Sequence, residues 1–559
     1  MSGSVVPLNL FVIFLVVTLA ITWWASHHTR TAADFYAANR RLRGWQNGIA
    51  ISGDYTSAAT FLGVPGSIAL AGFDGLLLFV GGLAALVLLM LVAAEPLRNA
   101  GRYTVADALV QRLRERPVRL ASSVATISVC VVYLVGQMVG AGLLVVLLLN
   151  VHGRVLGLPA DAAAIVGVGL VMVVYVTFGG MLGITWVQIV KAMLLLVGAS
   201  VVAMLTLSRF GFSIPHLFDA AVGGSGHGPA YLAPGLRYKN PLDLVSLGLG
   251  LLLGGVGLPH IMMRLYTVPT ARAVRSSMRW AIGISGTTFV LAIVMGFGAA
   301  ALVGSKAVAS ANKAGNMAAP LLARTLGGGP ETFGGDMLLG FIGVLAIATI
   351  LGAVAGLTIA ASSSFAHDLW ASFLRRGRAG EDQEVRVARK AAFIVGMVAI
   401  LLSVVFRGQN VAFLVTLAFA IAASANVPTL LLSLYWKRFN TGGAVAGILA
   451  GLGSCLLLVA VGPTVIGPTG VWLHATTPLF PLENPGVVSI PVGFLAAWLA
   501  TLLTEERVPA GRTTFQQLRA QVLTGARPEE LAPATRALDG GQRELAQPDP
   551  RALAGGDPG

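Results

Sequence analysis

Residues 46–71 read QNGIAISGDYTSAATFLGVPGSIALA, an apolar run long enough to cross a bilayer but interrupted at its centre by SGDYTS. A spanning helix satisfies its backbone groups internally, so a polar, glycine-containing break at membrane depth persists only where protein buries it or where it lines a cavity. Asp54 narrows the choice further. A carboxylate near the middle of a spanning helix costs about 2.5 to 3.5 kcal/mol to insert, which marks it as functional by default. Broken helices of this kind build the midplane sites of secondary transporters, where half-helix N-termini face anions and freed carbonyls face cations.

The remainder of the chain agrees with an all-α integral membrane protein. Of 559 residues, 56% are apolar and 11% charged, with a mean hydropathy of +0.80, values that exclude an ordinary soluble domain and a disordered chain alike. At roughly 20 residues per crossing, about thirteen spans follow, near 8–26, 46–72, 74–95, 120–148, 162–180, 184–206, 242–262, 281–304, 336–366, 390–408, 411–434, 443–463 and 487–504. With the N-terminus outside and the C-terminus inside, the inner segments 27–45, 96–119, 263–280, 367–390, 435–442 and 505–559 carry 29 of the 38 Lys and Arg residues. That asymmetry sets the orientation. It also assigns the net charge of +14 to membrane loops, and no nucleic-acid partner is expected.

Other features are quieter. The first run has no basic region before it and ends in Trp23 and Trp24, so it reads as a retained span and not a cleaved signal. Cys130 and Cys455 lie inside apolar runs and read as core packing. The outer segments 213–238 and 304–335 read as ordinary surface loops, with capping of an entrance as the alternative. The stretch 505–559 lacks the apolar content to pack and is expected to be a disordered inner tail. No GxxxxGK[ST], GxSxG or HExxH pattern occurs, so neither ATP-driven transport nor an enzyme has its chemistry. A passive channel or a transport-like sensor is the distant alternative; channels present rings or repeated selectivity elements.

A second interrupted run lies at 242–262, where Gly254, Gly255, Gly257 and Pro259 cluster and predict a break near 254–260. Two broken spans, each opening a block of five helices, mark an inverted repeat. The chain then divides into a first helix and loop (1–45), a first repeat (46–206), an external loop (207–241), a second repeat (242–434), two peripheral helices (435–504) and the tail (505–559).

Several polar residues stand out against this background. A small anion can be held by backbone N–H groups at a half-helix start, and the half-helix beginning near Ser57 offers them beside the Thr56 and Ser57 hydroxyls. Tyr55 is either a cavity wall or an aromatic packed between helices. Gln137 is a packing hydrogen bond or a site donor. His260 precedes Arg264 by one turn, so the two share a face; the histidine is either a proton-linked group or structural, and Arg264 is placed at the inner boundary, serving topology or an inner gate. Asp107 sits among arginines and reads as a structural salt bridge. Lys191 lies in an apolar helix, IVKAMLLLVGAS, and either acts at membrane depth or snorkels to the interface.

Taken together, ISGDYTSAATFLG, GRYTVADALVQRL, VGQMVGAG, FGGMLGITWVQIVKA, LGLGLLLGGVGLPHIMMRLYTV, the SSFAHDLWA run and LAFAIAASANVPTLLLSLYWKRFNTGGA closely resemble the acetate permeases of the sodium:solute symporter family, over about residues 1–505. The resemblance implies a LeuT-like core of two five-helix repeats, alternating access in a bacterial inner membrane, and import of acetate, propionate, glycolate or pyruvate with H+ or Na+ and no other cofactor. Relatives carrying proline or pantothenate are the runner-up. It also implies a Na+ position near Gly53, Thr56 and Thr349. Two hydroxyl ligands of sodium-binding relatives fall here on Gly352 and Ala353, and their membrane aspartate on Gln188. In a proton-coupled amino-acid permease of the same fold a lysine takes the sodium's place, which points to Lys191 here, acting with Asp54. A one-turn shift of the alignment would instead offer Thr349 or Thr358 as a hydroxyl ligand.

Overall fold

The computed structural model describes residue 9 and residues 36–149, 153–155, 157–178, 181–376, 378–467, 477–506 and 513–525. The expected first span and most of the tail lie outside them. Among the described residues ten helices are long and apolar enough to cross a membrane. They begin and end within about ten residues of the runs read from the sequence, because helix extent here follows from the length of each apolar stretch.

The first broken span is helix α1, Gly44–Tyr55, then Thr56 in an extended conformation, a π turn over Ala59–Gly63 and helix α2, Val64–Ala71. The second is α3, Pro241–Gly257, then extended Leu258 and α4, Pro259–Leu265, with Pro259 at the first helical position. The break falls at Leu258, within the expected 254–260. The glycines do not break the helix, which runs through Gly254 and Gly255; the break is one residue wide and is set by the proline, which fits a helix start because its missing N–H is unneeded there. Gly257 instead lets the helix approach Val411–Tyr435, where an added Cβ would lie 2.6 Å from the Ala422 carbonyl. That partner helix is buried from Val411 to Leu430, and its Asn426 donates to the Gly257 carbonyl at 2.8 Å. A carbonyl freed by the break is thereby satisfied inside the bundle.

Both outer segments are packed, against the surface-loop expectation. Ile214–Ser225 forms a helix whose Phe218 ring lies 4.7 Å from Phe297. The Tyr231 hydroxyl donates to the Ile68 carbonyl at 2.5 Å. Backbone N–H groups of Gly235, Arg237 and Tyr238 converge on the Asp74 carboxylate. Gly315 of the second segment abuts Gly66. The outer end of the first broken span is thus covered. At the opposite face the tail carries a helix, Phe515–Thr524, where disorder was expected. Asn99 Nδ2 donates to the Val522 carbonyl and Gln521 Nε2 to the Asn99 carbonyl, both at 2.8 Å, polar contacts that hydropathy does not register.

Candidate functional site

The two breaks bring four ionisable or amide side chains together beneath Thr56. Asp54 is buried, and its Oδ2 accepts from Arg264 Nε at 2.6 Å. Its Oδ1 accepts from Gln188 Nε2, which also donates to the Gly352 carbonyl at 2.6 Å. Arg264 Nη1 donates to Thr185 Oγ1 at 2.5 Å. Lys191 Nζ donates to the Gly53 carbonyl, one of the groups released where the first helix ends. Lys191 is 1% exposed, which discards the snorkelling alternative.

Arg264 is the principal correction. It is not a boundary charge but a 1% exposed guanidinium paired with a carboxylate 210 positions away. Its Nη2 has no partner among the described residues. Both oxygens of Asp54 are likewise engaged, one by Arg264 and the other by Gln188. A protonated Lys191 gives the cluster two cations against one carboxylate.

Glycines make this crowding possible. A Cβ on Gly352 would stand 2.6 Å from Gln188 Oε1 and 2.8 Å from Lys191 Cδ, and one on Gly356 would stand 2.6 Å from Asp54 Oδ1. The space a serine would occupy at 352 is filled by the lysine stem. Of the other residues tied to a sodium position, Ala353 offers no side-chain oxygen, while the Thr56 and Thr349 hydroxyls donate to the Ser52 and Leu345 carbonyls of their own helices. Thr358 is buried nine residues further along. The arrangement suits an ammonium between the Gly53 carbonyl and Gly352.

Immediately beyond the break lies a second group. Gln137 Oε1 accepts from the Ala58 N–H at 3.1 Å, capping the half-helix, while its Nε2 is buried without a partner. Ser57 Oγ meets the Tyr133 hydroxyl at 3.3 Å. The Tyr133 ring stands edge-on to His260 with centroids 5.3 Å apart, and both imidazole nitrogens of His260 are buried without partners. A small cavity of about 40 Å³ opens beside them, walled by Tyr55, Tyr133, Phe289 and Phe419 with the Ser57 and Thr60 hydroxyls. Tyr55 is a wall, its hydroxyl donating to the Gly82 carbonyl at 2.6 Å. At Gly255 an added Cβ would stand 2.4 Å from the Ala85 Cβ and 3.4 Å from the Tyr55 hydroxyl, so the glycine admits the helix that carries Ala85. Tyr133 was missed by the sequence reading, although its position four residues before Gln137 places both on one helix face. Buried donors without acceptors are costly, and those of Gln137 and His260 are suited to a small anion.

A model of the sodium:solute symporter family matches residues 35–451. The chain is 45% identical over 523 residues to the uncharacterized symporter YwcA of Bacillus subtilis, covering 93% of this chain and 99% of that one. It is 44% identical over 518 residues to a monocarboxylic acid transporter of Corynebacterium glutamicum, covering 90% and 92% respectively. Among solved structures, a Na+-coupled sialic acid symporter in a substrate-bound, outward-open state superposes with a TM-score of 0.69 at 16% identity, over 89% of this chain and 98% of that one. This last likeness gives the LeuT-like fold.

Proposed function

The chain belongs to the sodium:solute symporter family, and from that premise we propose that it imports acetate or a related short monocarboxylate, such as propionate, glycolate or pyruvate, together with a proton. The carrying observation is the buried Lys191 ammonium, bonded to the Gly53 carbonyl beside the Asp54–Arg264 pair.

The coupling follows from charge. With Lys191 protonated, the cluster holds one cation more than it holds carboxylates in a medium of low dielectric, where an uncompensated charge is costly. A carboxylate entering the neighbouring cavity supplies the missing negative charge, so proton and anion stabilise each other's binding by the same factor. The substrate oxygens take the Gln137 Nε2 donor and the Ser57 and Tyr133 hydroxyls. The aromatic walls take the short alkyl group. Once substrate and proton leave, a neutral Lys191 still donates to the Gly53 carbonyl, so the empty carrier returns without a surplus charge.

Cavity size supports the substrate class. A volume of about 40 Å³, against the roughly 10–15 Å³ that one water needs on the same measure, holds a few water-sized groups, which favours a solute of a few heavy atoms over proline or pantothenate. The monocarboxylic acid transporter of Corynebacterium points the same way, and the bacterial sources of both relatives support a place in a bacterial cytoplasmic membrane.

The test is radiolabelled acetate uptake into proteoliposomes under a pH gradient or a sodium gradient imposed separately, for wild type and Lys191→Met. The expected result is uptake driven by protons alone, lost in Lys191→Met. Uptake requiring sodium would overturn the coupling; uptake of proline but not acetate would overturn the substrate class.

A further inference from the structure

Helix Ala271–Leu302, which follows the second broken span, presents one exposed stripe along its length. Arg272, Arg275 and Arg279 begin it, and Gly283, Thr287 and Val290 continue it, a spacing that keeps all six on one face. The apolar part of such a stripe meets lipid tails, so the arginines lie at headgroup level directly below. Trp280, half exposed beside Arg279, is the residue type that anchors at this interface.

The arginines open into a groove of about 780 Å³ on the face of the Phe515–Thr524 helix. Its other walls are apolar: Met90, Leu91, and Leu523 of that helix, the last two 71% and 73% exposed. One carboxylate is present, Glu95, bound to Arg275 at 2.7 Å. Arg272 and Arg279 form no ion pair among the described residues. Two unneutralised guanidiniums beside exposed leucines have no role in the transport site, which lies inside the bundle.

We propose that this groove binds an anionic phospholipid of the adjoining leaflet, its phosphate held by Arg272 and Arg279 and its chains laid along Met90, Leu91 and Leu523. Charge complementarity selects the headgroup, since guanidinium pairs with phosphate in a two-bonded fork. The apolar walls select a lipid over a soluble anion. Bound there, the lipid bridges the helix after the second break to the C-terminal helix. Arg98, on the segment between them, already grips the connecting turn through its Nε bond to the Val268 carbonyl at 2.7 Å.

The experiment uses full-length protein in vesicles of phosphatidylcholine with or without phosphatidylglycerol, reading the phosphatidylglycerol retained after detergent extraction by native mass spectrometry, and the melting temperature. Arg272→Gln with Arg279→Gln is compared with Arg375→Gln with Arg376→Gln, exposed on a neighbouring loop. Because each basic side chain near an anionic surface contributes about fivefold, the first pair is expected to weaken retention roughly thirtyfold and to abolish the lipid-dependent rise in melting temperature. The second pair is expected to keep both. Uptake by the first pair in phosphatidylcholine alone, equal to wild type, shows that it is folded. Equal loss in both pairs would reduce the effect to general attraction and overturn the site. A melting shift reproduced by glycerol 3-phosphate or inorganic phosphate would reassign the groove to a soluble anion and overturn the lipid.

Discussion

Around Asp107 and Asp368, near the face that carries the C-terminal helix, buried charges are saturated with partners; around Asp54, at membrane depth, they are not. Arg119 bridges Asp107 at 2.9 Å and Asp368 at 2.5 Å and also reaches Glu115 at 2.8 Å. His367 bonds Glu384 at 2.9 Å, while the Thr104 and Ser364 hydroxyls each donate to Asp368 at 3.0 Å. Every carboxylate there has a donor. The Asp54 cluster, by contrast, sets two basic side chains, Arg264 and Lys191, against one carboxylate, with a guanidinium nitrogen and, close by, the Gln137 amide donor that find no acceptor among the described residues. A saturated network fixes helices to one another, whereas an unsaturated one invites a ligand.

Removing one partner from each cluster tests that difference most strongly. Asp54→Ala and Arg119→Ala should each cost about 3 to 5 kcal/mol of stability, because each strands a buried charge. Acetate uptake per folded molecule should vanish in Asp54→Ala and keep its KM in Arg119→Ala, as read from uptake normalised to monodisperse protein. A raised KM in Arg119→Ala would break the comparison.

The unused donor comes next. Gln137→Leu should raise the KM for acetate roughly ten- to hundredfold, the equivalent of about 1.5 to 3 kcal/mol for a hydrogen bond to a charged group. Saturation kinetics in proteoliposomes measure it. An unchanged KM would leave the amide as a half-helix cap only.

Smaller is the steric coupling between positions 352 and 191. Gly352→Ser should destabilise the wild type but not Lys191→Ala, with an interaction of about 0.5 to 3 kcal/mol in a double-mutant cycle of thermal unfolding. Additive effects would mean that the lysine stem does not fill that space. The same double variant, with Ala353→Ser added, is expected to gain sodium-dependent uptake.

The smallest effect concerns acid. Burial alone would raise the Asp107 carboxyl, but hydrogen bonding and charge from His367, with the Arg119 guanidinium, hold it below the usual carboxylate range. A carboxyl depressed in the folded state adds stability that is present above its unfolded pKa of about 3.9 and disappears as pH falls through the folded value. Asp107→Asn should therefore lower stability at neutral pH and flatten its decline below about pH 4, seen in melting curves against pH. A steep acid limb retained in the variant would place that sensitivity elsewhere.

What could be read from the chain alone was local. Apolar run length located the spans, the SGDYTS interruption located the first break, and Pro259 the second, because each depends on neighbours in sequence. Lys191 was visible as a charged residue in an apolar helix, whereas Gln188, Gly352 and Ala353 stood out only through the family resemblance, as replacements for an aspartate and two hydroxyl ligands. Which of these residues meet was not visible. Arg264 reached Asp54, Gln137 reached the Ala58 N–H and Asn426 reached the Gly257 carbonyl only through helix packing, at separations of 210, 79 and 169 positions. The same holds for the outer segments and the tail helix, whose docking rests on scattered polar and aromatic contacts that carry no periodicity. Sequence fixes what each helix must bury or expose; close approach at glycines such as 352 and 356 decides which buried groups share one low-dielectric space, and so which charge is left without a partner.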